Sequence, residues 1–235
     1  MPEIEAPPFE SPDHWDKAAR HYQQTAHIFT SQYAEDALAR VTLTPQSHVL
    51  DVAAGTGALA LAAARTGARI MATDFSPGMV AVFSIFGVIM FPDWRKGLAE
   101  MRRVTRPGGY GVVATWQDQG AATFLLLGQI RKKLFPDRVG IAMPQAVKAL
   151  SNPDDFAREL ITAGYRDPRI ESVTHDYLLD VAALEEPDTL FGMSPDWVSL
   201  SDADKTKVIA EVRIMAGDQP ELPIASTALI AVAER

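Results

Sequence analysis

Short apolar runs alternate with helix-periodic stretches along the first third of the chain. A run within residues 49–57 ends in a glycine-rich turn, and residues 58–64 then repeat apolar positions with helical spacing. Residues 69–74 form a second apolar run. This succession of strand, turn, helix and strand predicts parallel strands joined through helices, which is the arrangement of an α/β domain.

The N-terminal region, residues 1–41, shows a different pattern. Residues 1–10 carry three prolines and little periodicity, so we expect a mobile arm. Trp15, Tyr22 and Phe29 then recur at intervals of seven residues, which places three aromatic rings on one face of a helix or helix pair. This face either packs on the domain or lies over a bound ligand.

The second half of the chain continues the alternation of helices and strands. Its predicted elements are helices at residues 92–106 and 121–134, strands at 110–116, 169–178 and 224–233, and a helical insertion at 182–218. We expect the last two strands to pair antiparallel. The insertion between them predicts a small cap at the edge of the active site that selects the substrate. The alternatives are contact between the subunits of a homodimer or no role of its own.

Composition limits the classes of partner. The chain has 235 residues, 47% of them apolar, which suffices for a single domain spanning residues 1–235. A net charge of −8 argues against nucleic-acid binding, because phosphate contacts need a concentrated basic face. The chain shows no apolar run long enough to span a membrane and no signal-peptide pattern. The absence of cysteine excludes disulfides and thiolate metal sites and suits a reducing compartment. We expect no metal, and the lack of a signal peptide and of a membrane span makes a cytoplasmic protein the expectation.

Two glycines, Gly55 and Gly57, mark the turn after the first strand as a nucleotide-type binding site. They let the backbone bend tightly beside a ligand, where the following helix presents free N–H groups. With Ala60 and Asp74 they also fit the dinucleotide pattern G-x-G-x-x-A followed by an acid for a ribose. Asp51 argues against a dinucleotide, because its carboxylate repels a pyrophosphate and suits a cofactor that carries an ammonium and a sulfonium.

The stretch from Asp51 to Gly57, D-V-A-A-G-T-G, resembles motif I of the class I S-adenosylmethionine (SAM) dependent methyltransferases, D-x-G-x-G-x-G. Ala53 replaces the first glycine, as in the D-V-A-x-G-T-G form of the ubiquinone/menaquinone methyltransferases. Residues 103–109 and 156–165 resemble two further family segments in the correct order. The resemblance implies a Rossmann-like, doubly wound and mostly parallel sheet with an antiparallel C-terminal strand, a helical N-terminal lid and a small helical cap.

The resemblance also implies which residues hold SAM and the acceptor. The cofactor-binding residues are Asp51, Ala53, Ala54, Gly55, Thr56, Gly57, Asp74, Phe75, Ser76, Met79, Ser84 and Ile85. The substrate-binding residues are Trp15, Tyr22, Tyr33 and Trp116. Trp116 ends a predicted strand, where open α/β sheets bind ligands, although an aromatic that closes the core is the alternative. His14 and His21 are candidate general bases by residue type only.

The junction near residues 80/81 departs from the family. Residues 81–109 resemble the segment that spans the family's fourth strand and the turn before its fifth, yet they follow directly on Val80. A return between parallel strands normally takes a dozen or more residues. Several tens of residues that the resemblance implies are therefore missing. Either the sequence joins two pieces of the protein across a stretch that it leaves out, or the protein carries a real deletion. We favour the first, because a deletion would remove an edge strand and most of the wall around the adenine.

The function implied by the resemblance is SAM-dependent transfer of a methyl group to the O, N or C atom of a small-molecule acceptor. Two alternatives stay open at this point. A real deletion near 80/81 would favour a catalytically inert SAM-binding or partner protein. The dinucleotide pattern would favour an NAD(P)-dependent oxidoreductase.

Overall fold

The computed structural model describes residue 22 and residues 26–73, 84–117, 122–140 and 143–235. The chain divides into two compact units. The first unit comprises residues 1–117, 144–173 and 228–235, and the second comprises residues 118–143 and 174–227.

The secondary structure follows the predicted alternation of strands and helices. In chain order its elements are α1 (Ala26–Ala39), β1 (His48–Val52), α2 (Ala58–Ala64), β2 (Arg69–Thr73), β3 (Ser84–Ile85), a 3₁₀ turn (Val88–Met90), α3 (Trp94–Val104), β4 (Tyr110–Trp116), α4 (Ala122–Leu134), α5 (Gln145–Ala149), α6 (Pro153–Thr162), β5 (Arg166–Asp180), a second 3₁₀ turn (Val181–Glu185), α7 (Pro187–Phe191), α8 (Pro195–Val198), α9 (Asp202–Ala216) and β6 (Glu221–Glu234). None of the helices within the described ranges is long and apolar enough to cross a membrane.

Strands β1 and β2 pair in parallel, with Leu50 opposite Met71. Alternate residues of β1 are buried, Val49 and Asp51 among them, as expected for a strand whose successive side chains point to opposite faces. Helix α2 lies between the two strands in sequence and packs against both. The predicted strand, turn, helix and strand are therefore confirmed.

The remaining strands form a sheet in the order β3-β4-β6-β5. Strand β3 runs parallel to β4, and β6 runs antiparallel to β4 from the pair Tyr110–Glu234 to the pair Trp116–Ala228. The predicted antiparallel C-terminal strand is thus confirmed. The resemblance implied one continuous sheet. Among the described residues, β1 and β2 instead form a sheet of their own, with no ladder of hydrogen bonds to the other four strands. Strand β3 is only two residues long, which leaves little ladder to join both neighbours.

In the second unit, helices pack around a buried aromatic pair, Phe191 and Trp197, whose ring centroids lie 5.0 Å apart. The buried apolar side chains packed with them are Leu126, Leu127, Ile130, Leu179, Leu184, Leu190, Val208, Val212 and Ile224. The helical character predicted for residues 182–218 is confirmed. Its role as a cap stays a prediction.

Candidate active site

The turn between β1 and α2 combines a buried acid with left-handed backbone. Asp51, next to last in β1, is 2% exposed. Ala53, Gly55 and Gly57 all have positive φ angles, of 57°, 56° and 81°. Glycine adopts this conformation freely, whereas alanine pays a steric penalty, so Ala53 is strained where the family pattern has glycine. The turn leads directly into the first residue of α2. The first N–H groups of a helix have no partner within the helix, so the start of α2 can donate to a ligand in the turn.

Gly87, just after β3, lies against this turn. A Cβ atom at this position would stand 2.6 Å from the Cβ of Ala53, 2.7 Å from its carbonyl oxygen and 2.8 Å from the carbonyl oxygen of Val52. Only glycine fits there, because such distances are far inside van der Waals contact. Gly87 was not among the predicted site residues. Its position two residues after β3 was the available signal, since a glycine at a strand often marks a close approach of two backbones.

Two of the predicted cofactor residues, Ser84 and Ile85, form β3. The Ser84 side chain is fully buried, and its Oγ accepts a hydrogen bond from the backbone N–H of Val88 at 2.7 Å. This bond ties the first residue of the 3₁₀ turn, which follows Gly87, to β3. Ile85 is half-buried. A contact of either residue with SAM stays a prediction.

Four aromatic side chains form a buried cluster in the first unit. The rings of Phe86 and Trp116 stack with centroids 3.7 Å apart and an interplanar angle of 3°. Tyr33 stands edge-on to Trp116 at 5.2 Å and to Phe86 at 5.5 Å, and Phe29 lies parallel to Trp116 at 6.3 Å. Tyr33 is 0% exposed and Trp116 6%. The structure therefore brings these two predicted substrate residues together, with Phe86 as a member that the sequence reasoning missed.

Helix α1 contacts the turn through His27. The Nδ1 atom of His27 lies 2.5 Å from the Oγ1 of Thr56, a residue of the turn. Further along the same helix, Glu35 forms an ion pair with Arg65, the residue that follows α2. His27 was not among the predicted site residues, because nothing in its sequence neighbourhood marks it; only the packing of α1 on α2 brings it to the turn.

Several predicted site residues lie outside the described part of the chain. These are the candidate bases His14 and His21, the substrate residue Trp15, and the cofactor residues Asp74, Phe75, Ser76 and Met79. The junction near 80/81 lies outside it as well. Tyr22 is described as helical and half-buried, and its contact with substrate stays a prediction.

Known proteins with similar sequences indicate the family to which the chain belongs. No family model matches the chain. A demethylmenaquinone methyltransferase of Corynebacterium efficiens is 30% identical over 171 residues, which cover 57% of this chain and 74% of that protein. A protein of the same name from Mycobacterium sp. strain KMS is 27% identical over 227 residues, covering 77% of this chain and 96% of the relative.

Two solved structures resemble the fold. Phosphoethanolamine N-methyltransferase 2 of Haemonchus contortus, 12% identical, superposes with a TM-score of 0.53 over 100% of this chain and 61% of that one. A protein of Anabaena variabilis described as a methyltransferase of an antibiotic biosynthesis pathway, 13% identical, superposes with a TM-score of 0.50 over 85% of this chain and 96% of that one. These likenesses show an α/β Rossmann-like fold with a mixed sheet.

A buried acid before a left-handed glycine turn, set in such a fold, defines a protein that binds a nucleoside-containing cofactor. The curated relatives narrow this class, and the chain belongs to the class I SAM-dependent methyltransferases. It is an enzyme that uses SAM to methylate a small molecule. Neither the oxidoreductase nor the inert partner protein is favoured by these comparisons.

Proposed function

We propose that the turn from Asp51 to Gly57 is the SAM site of this enzyme. The observation that carries the proposal is the buried carboxylate of Asp51 at the mouth of a left-handed turn. SAM is cationic at its sulfonium and its ammonium, and a carboxylate in a partly desolvated position attracts such a charge more strongly than one in water. The bare backbone of Gly55 and Gly57 admits the ligand against the main chain.

The rest of the predicted cofactor set belongs to the same proposal. Asp74 follows the last residue of β2 directly, the position from which an acid accepts hydrogen bonds from the two ribose hydroxyls. Phe75, Ser76, Met79, Ser84 and Ile85 complete the proposed set. Gly87 adds a structural requirement, because any side chain at this position would collide with Ala53 and displace the turn.

For the acceptor we propose a quinone-type aromatic ring, of the kind that the name demethylmenaquinone methyltransferase assigns to the relatives. The cluster of Phe29, Tyr33, Phe86 and Trp116 supports an apolar aromatic acceptor, since Phe86 directly precedes Gly87 beside the turn. Stacked and edge-on rings form a rigid wall against which a flat ring can pack. The N-terminal helices would serve as a lid, and residues 182–218 as a cap.

Methyl transfer to such a ring needs positioning more than covalent catalysis. SAM bound in the turn would supply an electrophilic methyl group, and the acceptor would be the electron-rich, reduced quinol form of the ring. The ring carbon would take the methyl group from the side opposite sulfur, the electron pair of the carbon–sulfur bond would stay on sulfur, and the ring carbon would then lose its proton to a base or to water. The protein's contribution is to hold the two carbons in line and to exclude water.

We also propose that this chain lacks a segment that its relatives possess, near residues 80/81. The alignment to the Mycobacterium relative is 227 residues long although it takes in only 77% of this 235-residue chain, so the relative carries several tens of residues without a counterpart here. Leu50 and Met71, opposite each other in β1 and β2, are 36% and 66% exposed. An apolar cross-strand pair left open in this way fits the loss of an element that would cover it.

Equilibrium dialysis with radiolabelled SAM or with NADH tests the cofactor site. We expect binding of SAM, and in Asp51→Asn a dissociation constant raised about tenfold or more through loss of the charge interaction. Asp137→Asn, which removes an exposed acid of the second unit, should bind SAM as the wild type does. Binding of NADH in preference to SAM would overturn the proposed site.

Incubation with SAM and demethylmenaquinone that has been chemically reduced to its quinol, followed by mass spectrometry of the extracted quinone, tests the acceptor. We expect a mass increase of one methyl group that depends on both the enzyme and SAM. If the enzyme binds SAM yet methylates a phenol or an amine and leaves the quinone unchanged, the acceptor assignment is wrong while the cofactor assignment stands.

A further inference from the structure

We propose that His27 is a positioning residue that couples helix α1 to the cofactor turn, so that SAM binding orders the helix which carries part of the aromatic cluster. The contact that carries this inference is the one between the Nδ1 of His27 and the Oγ1 of Thr56, 29 residues apart in sequence. The inference rests on the proposed SAM site.

The contact joins helix α1, which carries two rings of the aromatic cluster, to the turn that we propose as the SAM site. Thr56 stands between Gly55 and Gly57, whose backbone is left-handed, so the direction of its Cα–Cβ bond is set by the backbone of the turn. His27 is the second residue of α1, and Phe29 and Tyr33 follow on the same helix. A ligand that changes the turn therefore changes the anchor of the helix that supplies two rings of the cluster.

A second anchor shows how the helix is held. Glu35 on α1 pairs with Arg65 just after α2, so the order of partners along both helices is the same and α1 runs parallel to α2. The two anchors are eight residues apart on α1, roughly 12 Å along a helix. The side chains of the Glu35 pair are 54% and 64% exposed, and such a pair contributes little. The part-buried bond of His27 is thus the stronger of the two anchors and the one that touches the turn.

The side chains of His27 and Thr56 can form a hydrogen bond whichever of them is the donor. A hydroxyl both donates and accepts, and a neutral imidazole carries one donor and one acceptor nitrogen, so the bond forms with either tautomer. Because the bond occupies Nδ1, the ring keeps Nε2 for a second partner. Loss of either partner removes the anchor without adding a charge.

A double-mutant cycle measures the coupling in the protein without ligand. The variants are His27→Ala, Thr56→Val and the double variant, compared by urea unfolding. We expect the two single changes to be non-additive by at least about fivefold in the folding equilibrium constant, because the residues share one hydrogen bond. Thr56→Ser keeps the hydroxyl and should retain the coupling to His27. Additive effects would overturn the anchor.

Equilibrium dialysis with SAM and hydrogen exchange over residues 26–39 test the link to the cofactor. We expect His27→Ala to weaken SAM binding about tenfold, and SAM to slow exchange in α1 of the wild type but not of this variant. The matched control is Glu35→Gln, which breaks the outer anchor and should leave SAM affinity within about twofold.

The outcomes separate this inference from the proposed function. A wild-type protein that binds no SAM overturns the proposed SAM site. A wild-type protein that binds SAM, together with a His27→Ala variant that binds it equally well and shows the same slowing of exchange in α1, overturns the positioning role alone.

Discussion

At the scale of single residues, Ala53 combines a left-handed backbone with a side chain that disfavours it. Its φ angle of 57° costs an alanine about 1–2 kcal/mol relative to the right-handed region. Glycine removes that penalty at an entropic cost of about 0.4–1 kcal/mol in the unfolded chain. The balance at this position therefore favours glycine.

We accordingly predict that Ala53→Gly stabilises the protein by up to about 1 kcal/mol. The matched control is Ala64→Gly at the end of α2, where the backbone is helical and glycine should cost about 1 kcal/mol. Urea unfolding of both variants measures the difference. Equal destabilisation by the two changes would contradict the strain inferred at Ala53.

At Gly87 glycine is required for a different reason, because there is no space for a side chain. In Gly87→Ala the new methyl group would meet the carbonyl oxygens of Val52 and Ala53, so the turn must move. We predict a loss of about 1–3 kcal/mol in the free energy of unfolding and at least tenfold weaker SAM binding. Ala53→Gly should not rescue this variant, because both backbone oxygens remain in place.

Gly128 in α4 offers the control for that change. A Cβ there would meet no atom within 4 Å, so Gly128→Ala should be neutral or stabilising by up to about 1 kcal/mol, as alanine favours the helix. Unfolding and dialysis on both alanine variants distinguish a steric effect at Gly87 from a general effect of removing glycine. Similar results for the two variants would argue against the close contact at the turn.

At the scale of elements, the carboxylate of Asp204 forms several hydrogen bonds in the first turn of α9. Asp204 accepts hydrogen bonds from Lys207 Nζ at 2.8 Å, Arg138 at 2.8 Å and Ser201 Oγ at 3.0 Å. These contacts, led by that of Lys207, lower the pKa of Asp204 from 3.8 to about 2. Because the folded-state pKa lies below the unfolded one, the carboxylate stabilises the fold above about pH 4 and loses that effect as the pH falls towards 2.

The pH dependence of stability tests this at α9. We predict that Asp204→Asn is less stable than the wild type at pH 7 and that the difference shrinks between about pH 4 and pH 2. In Lys207→Met, which removes the largest cause, the pKa of Asp204 should move back towards 3.8, so the loss of stability on acidification should be smaller and should be complete at a higher pH. Urea unfolding at a series of pH values measures both. A difference that is constant with pH would contradict the assignment.

At the scale of the whole molecule, we expect the affinity for SAM to be lowered by the absence of the segment that the relatives carry. Grafting the relative's extra segment between residues 80 and 81 should tighten SAM binding about tenfold or more, because it restores a wall around the adenine and excludes water from it. A glycine-serine insert of the same length is the control and should bring no gain. Dialysis with SAM on both proteins gives the comparison, and an equal affinity would remove the basis for a missing adenine wall.

Local pattern sufficed for much of the fold. The turn between β1 and α2, the predicted helix at residues 92–106 and the antiparallel final strand were all predicted, because each depends on near neighbours or on a recognisable order of segments. Strand ends were less accurate. Strand β5 was predicted over residues 169–178 and extends from Arg166 to Asp180. Backbone pairing continues past the apolar alternation, so side-chain pattern underestimates strand length.

The site was predicted less completely. Tyr33 and Trp116 were assigned as substrate residues, yet their burial against Phe29 and Phe86 follows from the meeting of α1, β3 and β4, which no local pattern describes. His27 and Gly87 were missed for the same reason, since each is defined by a partner elsewhere in the chain.

The sequence by itself determined the left-handed turn, the acid before it and the family to which they point, because glycine freedom and carboxylate charge are properties of single residues and their spacing. Tertiary structure alone decided that His27 lies within hydrogen-bond distance of Thr56, that Gly87 packs against Ala53 and that four aromatic rings form one cluster. Those contacts depend on the packing of distant segments, whose geometry is set by the burial of the whole core and cannot be read from any one stretch of the chain.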